Sequence, residues 1–191
     1  MGLKLLEVIA AAAVLVPVFL ILGKLRFHSR EKTVLYLAAA IYFAAVYNLV
    51  GLPTVQFLRF DVNLNLIPFR GMIADMKNCI LNVLLFVPLG FLLPLLWERF
   101  ERVTATLRFG LLMTVSVELL QMLTLRATDI NDVITNFAGT LVGYGLFRLG
   151  EGKLWHRQKG SGGDLWLILG IVAATMFFVQ PCIFSFLYAF V

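Results

Sequence analysis

Six stretches of this chain, residues 5–23, 33–52, 79–97, 109–125, 133–149 and 165–190, are apolar and long enough to cross a membrane. A hydrocarbon core is about 30 Å thick and takes about 20 helical residues to span. No other feature constrains the fold as strongly, because lipid offers nothing to backbone amides and carbonyls and a helix satisfies its own. The expectation is an all-α, polytopic transmembrane bundle of about six helices, a single membrane domain over residues 1–191. Composition agrees: 61% of the 191 residues are hydrophobic and 14% charged, against about 45–50% and about 25% in soluble domains. The first stretch resembles a secretion signal but is too long for one. It has one lysine before it and four cations after it, and no small-residue cleavage site follows, so it is read as a helix.

The formal charge of +5 would suggest nucleic acid in a soluble protein; in a membrane chain Lys and Arg mark the cytoplasmic loops, so no nucleic-acid partner is expected. Eleven of the 16 Lys and Arg fall in segments 24–32, 98–108 and 148–164. The remaining five, Lys4, Arg59, Arg70, Lys77 and Arg126, lie in the alternate segments. Both termini should then face outward, with 53–78 as the one long outer loop. Segment 150–164, GEGKLWHRQKGSGGD, reads as a flexible basic inner loop with Trp155 and His156 as interfacial residues.

Ionisable residues inside membrane helices cost about 2.5–3.5 kcal/mol at the centre on insertion scales, so each one is a candidate for function. Glu118 lies seven residues from the outer end of the fourth stretch, about 10 Å in at 1.5 Å per residue. Thr114, Glu118 and Gln121 share one helical face, which must look into the bundle. Asn78 and Asn82 sit one turn apart at the outer end of the third stretch. Asp132, Asn136, Gly139, Thr140 and Gly143 fall on one face of the fifth. With Arg126 and Asp129 in the short connection between the fourth and fifth helices, these side chains can surround one outward-opening pocket. The loop DVNLNLIPFR, residues 61–70, could cover it with Asp61, Asn63 and Asn65 facing in and Val62, Leu64 and Leu66 in the membrane boundary.

Structural roles compete for the same residues. Asp129 and Asp132 are placed to cap the fifth helix and complement its dipole. Gly139 and Gly143 have the spacing of close helix packing, and Asn82, Gln121 and Asn136 could be interhelical hydrogen bonds. Pro88 and Pro94 would kink the third helix. Other motifs fail: the Asp61, Asn63, Asn65 series imitates a calcium loop but has Leu66 where glycine is required and Met72 where a bidentate Glu belongs. Ser116 faces away from Glu118, and Ser185 has no evident base. Cys79 and Cys182 are too far apart for a redox or zinc motif. No cofactor or metal is expected.

Four ordered blocks resemble the VanZ-like family of bacterial membrane proteins: Asn65 to Phe69, Asn82 to Gly90, Glu118 to Gln121, and Arg126 to Gly139. The resemblance spans about residues 60–147. It departs at Asn131, where an acidic residue is expected. It implies a multi-pass protein of the bacterial cytoplasmic membrane that contributes to low-level resistance to teicoplanin and related lipoglycopeptides, or to cell-envelope homeostasis. Asn65, Arg70, Asn82, Gln121, Arg126 and Asn136 would be the ligand-binding set, for a membrane lipid or a lipid-linked cell-wall precursor. Arg70 and Arg126 would meet a phosphate or carboxylate. A hydrolase or transferase acting on such a substrate, with Glu118, Asp129 and Asp132 as catalytic carboxyls, is the alternative. A transporter or a structural partner of the envelope machinery would fit the same composition.

Overall fold

The computed structural model describes residues 2–150 and 160–189, so Trp155 and His156 lie outside the described residues. Among the described residues the chain is all-α apart from two strands of two residues each. Its contacts fall into two compact units, Met1–Leu58 with Gly162–Val191, and Arg59–Ser161. Among the described residues, five helical stretches are long and apolar enough to cross a membrane: Glu7–Phe27, Arg30–Leu49, Met76–Leu96, Val103–Gln121 and Gly162–Phe186.

The first unit contains α1 (Gly2–Leu22), α2 (Arg30–Leu49), α6 (Gly162–Ala174) and α7 (Gln180–Tyr188). A widened turn at Gly23–Phe27 ends α1, and Ser29 caps α2 by accepting from the Lys32 amide at 3.4 Å. α2 stops at Leu49 because Gly51, with φ +67, turns the chain left-handed. The Gly51 amide then reaches the Asn48 carbonyl and the Leu52 amide the Tyr47 carbonyl, which satisfies two of the last carbonyls of the helix. A second widened turn, Thr175–Val179, joins α6 to α7 just ahead of Pro181. Proline has no amide to offer the carbonyl four residues back and crowds it. That carbonyl, on Phe177, instead accepts from the Val55 amide at 3.0 Å. Arg26 pairs with Asp164 at 3.1 Å, and Tyr36 donates to the other oxygen of the same carboxylate.

The second unit contains α3 (Met76–Leu96), α4 (Val103–Gln121) and α5 (Ile130–Gly150), with a tight turn Glu98–Phe100 between α3 and α4. α4 begins well before residue 109, and Arg108 lies inside it rather than in a loop. The long side chain of an arginine near a helix end can carry its charge out of the apolar region, so an apolar-run criterion starts such a helix late. α5 packs most closely on α3, rather than on the α4 that its short connection would suggest. The reason is glycine. A Cβ at Gly139 or Gly143 would strike the carbonyl of Val83 or Val87, and one at Gly90 would strike that of Thr140. The two backbones therefore touch, as small residues permit between membrane helices. α5 spans 21 residues but is not among the stretches apolar enough to cross a membrane, since Asn131, Asp132, Thr135, Asn136 and Thr140 all lie along it.

Strands β1 (Leu64–Asn65) and β2 (Thr128–Asp129) pair in parallel. The Arg59 and Asp61 amides donate to the Leu123 and Met122 carbonyls, so the segment before α3 runs beside the connection from α4 to α5. The extended stretch thus meets much of its backbone requirement against protein.

Candidate functional site

The end of the second unit where α4 stops and α5 starts gathers most of the expected side chains. Thr114, Glu118 and Gln121 are buried on one face of α4, with Glu118 only 3% exposed. Glu118 holds the connection at two points: its Oε2 accepts from the Asp129 amide at 2.9 Å and its backbone carbonyl from the Thr128 hydroxyl at 3.0 Å. Asp129 Oδ1 accepts from the Asn131 amide at 2.8 Å, the bond of an N-cap at the start of α5, and its Oδ2 accepts from Asn65 Nδ2 at 2.9 Å. Asn82 on α3 donates to Asp132 Oδ1 at 2.8 Å, and Asn136 on α5 donates to Thr114 Oγ1 on α4 at 2.9 Å. Asn65, Asp129 and Glu118 are thus joined by hydrogen bonds, and the Asn82–Asp132 and Asn136–Thr114 pairs tie α3 and α4 to α5, so the cluster draws on three helices and both strands. Both oxygens of Asp129, Glu118 Oε2 and Asp132 Oδ1 are engaged in these bonds. Asn136 Oδ1 is buried and without a hydrogen-bond partner among the described residues.

The two arginines stand at the rim. Both are exposed. Arg126 is close enough to Glu118 and Asp132 for its charge to bear on both carboxyls. Arg70 enters through its backbone, whose carbonyl accepts from Asn131 Nδ2 at 3.0 Å, while Asn131 Oδ1 accepts from the Phe69 amide at 2.6 Å. One buried amide therefore clamps the 69–70 turn from both sides. The turn is strained, with Phe69 at φ +64 and Gly71 at φ +75, and only the glycine suits that conformation.

One expectation for the loop and one for the start of α5 need correction. Of Asp61, Asn63 and Asn65, only Asn65 puts its side chain into the cluster; Asp61 and Asn63 are exposed and contribute backbone bonds alone. The two-residue period holds only across β1, so alternation beyond it does not sort side chains to opposite faces. Asn131, passed over as a departure from the acidic pattern, is a central residue of the site. Its position in the first turn of α5, between Asp129 and Asp132, was the available signal. Ser116, as expected, turns away and donates to the Leu112 carbonyl at 2.7 Å.

Five helices of this length and apolarity, with a polar cluster enclosed where α3, α4 and α5 meet, define a polytopic α-helical membrane protein. The VanZ/LLP1 family matches residues 33–151, which include nearly all of the second unit, and the chain belongs to that family. It is similar to Protein VanZ of Enterococcus faecium, with 32% identity over 137 residues that cover 69% of this chain and 80% of that protein. No solved structure matches it.

Proposed function

We propose that this protein lowers the effect of teicoplanin and related lipoglycopeptides, or maintains the cell envelope, by engaging a lipid-linked envelope component at the cluster around Glu118. The cluster faces the extracytoplasmic side in this reading, as the distribution of Lys and Arg predicts. The observation that carries the reading is the strained turn clamped by Asn131, which presents an exposed aromatic ring, Phe69, next to an exposed cation, Arg70. Backbone strain at a non-glycine residue persists only where its surroundings impose it, and it concentrates at ligand clamps. A guanidinium beside an apolar ring suits a phosphate carried on a lipid. The unspent acceptor on Asn136 leaves the interior able to take one more donor.

Binding is favoured over general acid–base catalysis because both oxygens of Asp129 are already committed, one to the helix cap and one to Asn65. The test is drug susceptibility of a sensitive host making the wild-type chain, Arg70→Ala or Glu118→Gln, with lipid in each purified protein identified by mass spectrometry. Wild type is expected to protect and to retain one envelope lipid, and both variants to lose both properties at normal membrane levels. Full protection by Glu118→Gln would remove the cluster from the function.

A further inference from the structure

The other end of the second unit carries a feature that the proposed function does not use. Between the end of α3 and the start of α4 lies a cavity of about 560 Å³ whose lining includes Arg99, Arg102, Arg108, Thr104, Glu98 and Glu101. The turn beneath it is firmly built. Phe100 is buried edge-on against Phe109 at 5.2 Å, and its carbonyl accepts from the fully buried Thr106 hydroxyl at 2.6 Å. The Tyr144 hydroxyl on α5 donates to the Glu101 carbonyl at 2.8 Å. The three guanidiniums are therefore exposed on a fixed base. Two carboxylates share the lining, and each has its own interactions. The balance of formal charge is one positive. The first turn of α4 adds the Thr104 hydroxyl and has no side-chain cap.

What lies below the cavity identifies the source of the anion. Thr104 and Arg108 are one turn apart, and the same face of α4 continues through Leu111, Leu112, Val115 and Leu119, all exposed. A polar crevice at the end of two helices able to cross a membrane thus runs directly into an apolar stripe. That is the footprint of a phospholipid, with its headgroup in the crevice and its acyl chains along the helix. The hydroxyl of Ser116 does not interrupt the stripe, because it is turned back onto the Leu112 carbonyl. Basic recesses at helix ends, at headgroup depth, are suited to anionic lipid.

We infer that Arg99, Arg102 and Arg108 bind the phosphate of an anionic phospholipid whose acyl chains lie along Leu111, Leu112, Val115 and Leu119. The experiment uses the full chain in detergent. Retention of phosphatidylglycerol and of phosphatidylcholine is measured by native mass spectrometry, with inorganic phosphate as a competitor. Phosphatidylglycerol is expected to be preferred, and Arg102→Gln or Arg108→Gln to weaken its retention about tenfold, the scale of one lost charge-assisted hydrogen bond. Glu98→Gln is expected to strengthen it, a gain that misfolding cannot imitate. Equal retention of the two lipids by wild type, or a preference unchanged in both arginine variants, would overturn the site. Displacement of phosphatidylglycerol by inorganic phosphate at equal concentration would overturn the part assigned to the chains.

Discussion

Asn131 illustrates how one side chain can hold a site together. It accepts from the Phe69 amide and donates to the Arg70 carbonyl, two roles that an ionised carboxylate cannot combine because it has no donor. Asn131→Asp keeps the shape, loses the bond to Arg70 and adds charge beside Asp129 and Asp132. Asn131→Ala loses both bonds. Each is expected to cost about 1–3 kcal/mol, the penalty of leaving a buried partner unsatisfied. Hydrogen exchange at Phe69 should accelerate in both variants while the middle of α4 keeps its protection. If the Phe69 amide exchanges at the wild-type rate, the turn holds without the clamp. This residue was hard to read from the chain, since its partners lie more than sixty positions away and are backbone atoms. Glu118 was easy, because a carboxyl in an apolar helix has few places to go.

At the scale of elements, the contact between α3 and α5 rests on bare backbone. Gly139→Ala or Gly143→Ala must push a methyl into a carbonyl of α3, and either should lower the melting temperature clearly. Gly145 has nothing within 4 Å of its missing side chain. Gly145→Ala should be neutral, or gain up to about 1 kcal/mol from helix propensity. Similar losses at all three positions would mean that contact with α3 is not what the glycines provide. Much at this scale was legible. The apolar runs located the helices, and the four-then-three spacing found the buried face of α4. What escaped depends on tertiary contact: the preference of α5 for α3, the widened turn before Pro181 that leaves the Phe177 carbonyl to Val55, and the side chains of Asp61 and Asn63.

For the whole molecule, the count of Lys and Arg predicts that both termini lie outside the cytoplasmic membrane. A reporter that is active only after export, fused at either end, should be active, and one that fluoresces only in the cytoplasm should stay dark. The reverse pattern would turn the Glu118 cluster inward and remove it from contact with extracellular drug. The polar character of α5 also bears on how the chain is made. A helix with so many polar residues is expected to enter the membrane in company, and by the time α5 leaves the ribosome its glycine-matched seat on α3 has already been synthesised. Substitutions that part the two helices are therefore expected to lower the yield of newly inserted protein, even under conditions where protein already in the bilayer survives them.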